Sequence, residues 1–182
     1  MIFFIYQTLI LFIVILSPLI IIYRILKNKE DKKRFKEKFT IFSKKRGRGN
    51  IVWFHASSVG EILSIVPLIE KLENNKSIKK ILVTSSTLSS SYIFSKIRLK
   101  KTIHQFFPID LNFFANRFVK YWKPSIAIFV ESEIWPGIFL QLKKKSIPLI
   151  LLNARITKKT FRKWSKIKKF SIQIFSNIKT AY

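Results

Sequence analysis

The chain has 182 residues, no cysteine, and 35 Lys and Arg against 9 Asp and Glu, which gives a formal net charge of +26. This length allows one domain with a substantial core but not two large ones, and the lack of cysteine excludes both a disulfide framework and a thiolate metal site. The charge favours a polyanionic partner such as nucleic acid, an anionic membrane or a phosphorylated substrate, although 27 of the 35 basic residues are Lys and part of this bias is compositional.

The first 23 residues carry no charged side chain. As a helix they would span roughly 34 Å, which is enough to cross the ~30 Å hydrocarbon core of a bilayer. A cleavable signal peptide is disfavoured, because no basic residue precedes the apolar run and no small-residue cleavage site follows it. A buried core helix is the remaining alternative. We expect residues 1–23 to form a membrane anchor helix, kinked near Pro18.

A basic segment follows this apolar run. Residues 24–48 contain 12 Lys or Arg and three acids. The positive-inside rule keeps such a segment in the cytoplasm, so the sequence predicts a single-pass protein with a cytoplasmic globular part. The same residues can bind anionic lipid headgroups. We expect residues 24–50 to be a basic juxtamembrane segment and linker.

From residue 51 onwards, apolar strand-like runs alternate with helix-like stretches. Strands are predicted at 51–56, 80–85, 103–107, 125–130 and 147–152, helices near 61–73, 88–99, 111–122, 134–145 and 158–176, and the beginning of a sixth strand at 178–182. This alternation predicts a Rossmann-like, doubly wound parallel α/β sheet. The strands are continuously apolar, which is typical of a sheet covered by helices on both faces. We expect residues 51–182 to form this domain, incomplete at its carboxyl end.

Acidic side chains follow the predicted strands. Residues 51–182 contain only six acids, and four of them (Glu61, Asp110, Glu131 and Glu133) come just after a strand. Ligands of open parallel sheets bind outside the carboxyl ends of the strands. The sequence therefore predicts a site at this edge, and we expect the side chains of Glu61 and Glu131 to converge on a shared cavity there.

The run from Ser58 to Glu61 has two interpretations. It fits a capping box, in which Ser58 caps a helix and Glu61 reaches back to the backbone. It also fits a general base, in which a helix N-terminus keeps Glu61 ionised and Gly60 lets a substrate approach closely. Both roles are compatible only if the Glu61 side chain points outward.

The other polar positions at this edge are also open to two interpretations. Glu131 and Glu133 can begin a helix, with Pro136 at an early helical position, or act in a site. Asn153 and Arg155 can bind a phosphate or lie in a solvated loop. The candidate substrate-binding residues are Ser58, Gly60, Glu133, Asn153 and Arg155.

Two further features are expected to be structural. The hydroxyls of residues 85–91 fit helix capping better than anion binding. His55 and His104 have no acid or Cys at ligand spacing, so they are interpreted as ordinary strand residues and no metal site is expected.

Four motifs carry a resemblance to a known family. They are His55-Ala56-Ser57-Ser58-Val59-Gly60-Glu61, Pro108-Ile109-Asp110, Glu131-Ser132-Glu133-Ile134-Trp135-Pro136 and Ile147-Pro148-Leu149-Ile150-Leu151-Leu152-Asn153-Ala154-Arg155. In this order, after an apolar segment and a basic stretch, they resemble the bacterial Kdo (3-deoxy-D-manno-octulosonic acid) transferases. The resemblance covers nearly the whole chain, but only about the first half of the family's length.

The resemblance implies a GT-B glycosyltransferase of two Rossmann-like domains, of which this chain is the amino-terminal, acceptor-side half. The enzyme would move Kdo from CMP-Kdo to a lipid A precursor at the cytoplasmic face of the inner membrane. It would invert the anomeric centre and need no metal or other cofactor. Glu61 matches the family's general base, and Glu131 matches the acid that stabilises the transition state.

The resemblance also implies that most of the CMP-Kdo pocket lies in a carboxyl-terminal domain. We therefore expect a truncated chain that is inactive alone or acts with a separate donor-binding domain. The alternative function is a non-catalytic, membrane-anchored lipid-binding module. Nucleic-acid binding is disfavoured, because only the charge suggests it and no recognition motif is present.

Overall fold

The computed structural model describes all 182 residues and places one long helix before an α/β domain. The helices are α1 (Ile2–Leu26), α2 (Val59–Glu73), α3 (Leu88–Ser95), α4 (Asn112–Trp122), α5 (Pro136–Lys144), α6 (Lys158–Lys166) and α7 (Lys168–Phe175), with a short 3-10 helix at Phe35–Phe39. The strands are β1 (Ile51–His55), β2 (Lys80–Ser85), β3 (Thr102–Phe106), β4 (Ile126–Val130), β5 (Leu149–Leu152) and β6 (Ile178–Ala181).

All six strands are parallel and form one sheet in the order β3-β2-β1-β4-β5-β6. Alternate strand residues face opposite sides, as the pleat requires. Trp53 and Phe129 lie in a core beneath α4, α5 and α7, whereas Phe54 and Ile128 lie in a second core beneath α2 and α3. The predicted fold class, a doubly wound Rossmann-like sheet preceded by one apolar helix, is confirmed.

One predicted helix is in fact two. The stretch 158–176 breaks at Ile167, whose backbone leaves the helical region (φ −117°, ψ 44°), and α7 begins at the next residue. The Ser171 hydroxyl donates to the carbonyl oxygens of Trp164 and Ile167 and satisfies backbone groups at the break. Without glycine or proline at this point, the sequence has no breaker signal for the kink.

Helix α1 contacts the domain near its beginning and the following segment near its end. Its length of roughly 37 Å and its apolar composition are sufficient to cross a membrane, and most of its surface is exposed. Near its beginning, Tyr6 Oη donates to Asp110 Oδ2 (2.7 Å), and Gln7 bridges the Asp110 carbonyl and the Asn112 amide. Near its end, Arg24 pairs with the buried Glu30 (3.0 Å). The first turns of the helix are therefore held on the domain in this structure.

Residues 27–50 contact the domain in this structure. Arg34 donates to the His104 carbonyl oxygen (2.9 Å), and the Phe106 amide donates to Glu37 (2.8 Å). Arg34 and Glu37 also pair with each other through two 2.9 Å hydrogen bonds. Because β3 is an edge strand, this ion pair occupies backbone groups that a neighbouring strand would otherwise bind.

Candidate functional site

The candidate site lies where the strand order reverses. The chain proceeds outward from β1 to β2 and β3, and then returns to place β4 on the other side of β1. The loops that follow β1 and β4 are therefore neighbours at the carboxyl edge of the sheet, which is formed by the C-terminal ends of the strands. This crevice is where doubly wound folds bind their ligands.

Glu61 closes a capping box at the beginning of α2. Its carboxylate accepts hydrogen bonds from the amides of Ser57 (2.8 Å) and Ser58 (3.3 Å), while its own amide donates to Ser58 Oγ (3.2 Å). The residue is 9% exposed. The carboxylate is therefore held in one orientation at the beginning of the helix. Each oxygen retains a lone pair for a further donor.

Gly60 opens the surface beside this carboxylate. Gly60 and Ser58 are both exposed, and a Cβ placed on Gly60 would meet no atom within 4 Å. Packing within the chain therefore does not require glycine at this position. The open space over the first turn of α2 suits the approach of a ligand group.

Glu131 lines a cavity on the other side of the reversal point. Its backbone adopts φ 56°, and its amide donates to the Leu152 carbonyl (2.8 Å) at the end of β5. The cavity, about 440 Å³, is mainly apolar, and Ser132 and Arg155 lie at its polar side. Ser132 Oγ donates to the Arg155 carbonyl (2.6 Å) and ties the two loops together. The Arg155 guanidinium and the Glu131 carboxylate make no hydrogen bond or ion pair within the chain.

Glu133 is tied to β1 by a histidine. Its Oε2 is 3.2 Å from His55 Nε2 and accepts a hydrogen bond from Trp135 Nε1 (2.9 Å). Burial disfavours the charged carboxylate, but the His55 and Trp135 hydrogen bonds and the histidine charge outweigh it, so the pKa of Glu133 lies below its ordinary value. The His55 ring is fully buried and stacks on Phe107. Glu133 is therefore held ionised between the two strand ends.

Asp110, which follows β3, joins three parts of the fold. Its carboxylate accepts from the amides of Gly137 and Ile138 (2.7 Å each) at the beginning of α5, and from Tyr6 of α1. Burial raises the pKa of Asp110 to about 6, although these hydrogen bonds oppose the shift. Asp110 is therefore buried, and its contacts hold the fold together.

The structure places every predicted site residue at the carboxyl edge, but it does not unite them in one cavity. Glu131 and Arg155 share the 440 Å³ cavity, while Glu61 faces the backbone of its own loop and is not among the lining residues. Asn153 follows β5 with φ 51° and is exposed. The interpretation of His55 as an ordinary strand residue overlooks its contact with Glu133. The sequence does contain one signal for this contact: His55 lies at the end of β1, directly before the Ser57–Glu61 loop.

Most of the chain matches the model of a known protein family. The family model of 3-deoxy-D-manno-octulosonic-acid transferase (kdotransferase) matches residues 33–182. The chain belongs to the Kdo transferase family. This match includes the Arg34–Glu37 segment as well as the whole sheet, which agrees with the packing of that segment on β3.

Named relatives cover most of this chain. The 3-deoxy-D-manno-octulosonic acid transferase of Rickettsia bellii is 39% identical over 87% of the chain, and the probable mitochondrial one of Arabidopsis thaliana is 38% identical over 82%. That of Haemophilus influenzae is 30% identical over 70%. A crystal structure of UDP-N-acetylglucosamine 2-epimerase superposes on 74% of this chain and 42% of its own, with a TM-score of 0.49 and 12% identity. The chain spans 38%, 34% and 30% of the three transferases.

Proposed function

We propose that this Kdo transferase family member forms the acceptor side of an enzyme that moves Kdo from CMP-Kdo to a lipid A precursor in lipopolysaccharide biosynthesis. The observation that carries the proposal is the placement of Glu61 and Glu131 after neighbouring strands at the reversal point of a sheet that matches the family throughout. The chain's own residues supply acids and a cation to the reaction, without a metal or other cofactor. A separate domain would hold most of CMP-Kdo.

Glu61 is the proposed general base. As the acceptor sugar hydroxyl attacks the anomeric carbon of Kdo, its proton passes to the Glu61 carboxylate, and the bond to the CMP phosphate breaks with inversion. The Ser57 and Ser58 amides fix the carboxylate, and the neighbouring surface at Gly60 is open. A base in hydrogen-bond reach typically contributes 10²–10⁴-fold in rate.

Glu131 and Arg155 are the proposed charged groups around the reacting centre. Glu131 would stabilise positive charge that develops on the sugar, because its carboxylate faces a cavity and no cation of the chain neutralises it. Arg155 would bind a phosphate through its guanidinium fork, with Asn153 beside it. Glu133, held by His55 and Trp135, would accept a hydrogen bond from the sugar.

The proposed location is the inner membrane, with α1 as the anchor and the α/β domain on the cytoplasmic side. The basic residues of 24–48 would bind anionic lipids there. A single crossing by α1, as predicted from the sequence, requires its first turns to leave the Asp110 and Asn112 contacts seen in the structure. The hydropathy of the sequence measures the apolar length of the helix, so it does not predict these hydrogen bonds.

A Kdo transfer assay tests the proposal. Membranes carrying this chain are supplied with CMP-Kdo and a lipid A precursor, with and without the remaining part of a homologous transferase as a separate polypeptide. Transfer should require the chain and fall by about 10²–10⁴-fold in Glu61→Gln. Glu70→Gln, the same change at an exposed position of α2, is the control and should be without effect.

The competing function is lipid binding without turnover. Both functions predict that the unsubstituted chain and Glu61→Gln bind the acceptor precursor equally well, so a binding measurement does not distinguish them and the transfer assay decides. Failure to transfer Kdo with and without the supplied polypeptide, despite retained binding of the precursor, would replace the enzyme proposal with the binding module.

A further inference from the structure

A second basic surface is separated in sequence from residues 24–48. Residues 155–169 contain eight Lys or Arg and no acid, and no acidic residue follows Glu133 in the chain. The chain average of 35 basic residues in 182 would place only about three in a stretch of this length. General Lys bias therefore does not account for this cluster, which covers α6 and the beginning of α7.

Helix α6 carries an apolar face that nothing in the chain covers. None of its residues is buried, and Phe161, Ile156 and Ile172 are each more than half exposed. These three side chains border a groove of about 420 Å³ together with Trp164 and Phe175. Apolar and aromatic side chains beside a Lys- and Arg-rich helix face are the pattern of helices that lie in a membrane interface.

In this structure, the face meets the first turn of α1. The Phe3 ring packs against Phe170 of α7 with 6.4 Å between ring centroids, and Lys169 lies beside the same contact. Most large apolar side chains of α1 are exposed. Exposed apolar and aromatic side chains among the Lys and Arg residues of α6 and α7 favour a lipid surface over a nucleic acid as the occupant, and this argument holds wherever the first turns of α1 lie.

We propose that α6 and the first half of α7 form a membrane-binding surface, which inserts Phe161 and Ile172 into the interface of a bilayer that contains anionic lipid. Lys159, Arg162 and Lys163 bind the headgroups. This surface is distinct from the basic segment 24–48, and the inference rests on the contacts of α6 and α7, not on the transfer reaction.

The absence of cysteine allows a site-specific test. Phe161→Cys and Ile172→Cys, made separately in the full chain, each carry one polarity-sensitive fluorophore. Tyr92→Cys, at an exposed aromatic position of α3, is the matched control. Vesicles are either phosphatidylcholine alone or contain about one-third phosphatidylglycerol. The anionic vesicles should shift the emission of the probes at 161 and 172 to shorter wavelength and leave the probe at 92 unchanged.

A charge variant tests the electrostatic part. Combining Lys159→Gln, Arg162→Gln and Lys163→Gln with the probe at 161 should lower the ratio of inserted to aqueous probe by about a hundredfold, while α1 still holds the chain on the vesicles. The combined Gln substitution of the three lysines at 143–145, at the end of α5, should leave that ratio unchanged.

Three results would overturn the inference. One is an unshifted probe at 161 on vesicles that nevertheless bind the chain. Another is an equal shift with neutral vesicles, which would remove the role of the basic residues. The third is a probe that is already shielded before vesicles are added, which would show that protein covers this face.

Discussion

Two glycines at the carboxyl edge should respond oppositely to the same substitution. A Cβ on Gly137 would lie 2.7 Å from both the carbonyl oxygen and Oδ1 of Asp110, whereas a Cβ on Gly60 would meet nothing within 4 Å. Gly137→Ala should therefore destabilise the fold, and Gly60→Ala should leave it intact.

The expected loss of stability in Gly137→Ala follows from the contacts of Asp110. This residue is buried and accepts hydrogen bonds of 2.7 Å from the amides of Gly137 and Ile138, so relief of the clash must displace a buried, charge-assisted network. Overpacking typically costs about 1–3 kcal/mol, and a hydrogen bond to a charged group contributes roughly 1.5–3 kcal/mol. We expect Gly137→Ala to lower the free energy of unfolding by about 3 kcal/mol, and Gly60→Ala to change it by less than about 1 kcal/mol.

Thermal unfolding followed by tryptophan fluorescence in detergent checks both values. For a chain of this size, about 3 kcal/mol corresponds to a decrease in Tm of roughly 6–12 °C. In the transfer assay, Gly60→Ala should lose at least about tenfold in rate despite its normal Tm, because the methyl group occupies the open surface beside Glu61. Equal Tm values for the two variants would refute the packing argument, and full transfer by Gly60→Ala would refute the approach of substrate over α2.

The remaining predictions concern charged groups. Because the pKa of Asp110 is about 6 in the folded chain and 3.8 is its ordinary value, the stability that its protonation contributes is fully present below 3.8 and is lost as pH rises through 6. Protonation of Asp110 should therefore contribute about 1 kcal/mol more to the urea-unfolding free energy at pH 5 than at pH 7.5, and Asp110→Asn should change the difference between the two pH values by that amount relative to the unsubstituted chain; a variant with the wild-type pH dependence would contradict the assignment. Arg34→Ala leaves the buried Glu37 carboxylate without its cation and should cost about 3–5 kcal/mol, against less than about 0.5 kcal/mol for the exposed Lys36→Ala, as measured by urea midpoints. Glu61→Gln keeps one oxygen for the capping hydrogen bonds, so its Tm should fall by only a few degrees even where transfer is lost, and a large loss of Tm would show that the cap is its main role.

Much of the fold could be predicted from local patterns. The strands are short, continuous apolar runs separated by helix-length stretches, and this signal does not depend on distant residues. The position of Glu61, Asp110, Glu131 and Glu133 after strands is sufficient to assign them to one edge of the sheet. Pro136 does occupy the first turn of α5, as its fixed φ favours.

Other features depend on contacts between distant segments. The His55–Glu133 contact exists because β1 and β4 are neighbours, and strand order is not encoded in the local pattern of either strand. The motif at Ser58–Glu61 is compatible with two side-chain orientations, and only the structure shows the carboxylate turned to the Ser57 and Ser58 amides. The packing of residues 27–50 escapes prediction because a basic composition indicates solvent exposure, whereas Glu30 and Glu37 are buried.

The ion pair on β3 has a consequence for handling this protein. An unprotected outer strand recruits strands from other molecules, and β3 avoids this through a guanidinium and a carboxylate supplied from outside the sheet. Cutting the chain at residue 51 to obtain a water-soluble fragment would strip that protection together with the apolar helix. Such a fragment should self-associate through the exposed β3 strand. A fragment that begins at residue 30 keeps the ion pair and should self-associate less.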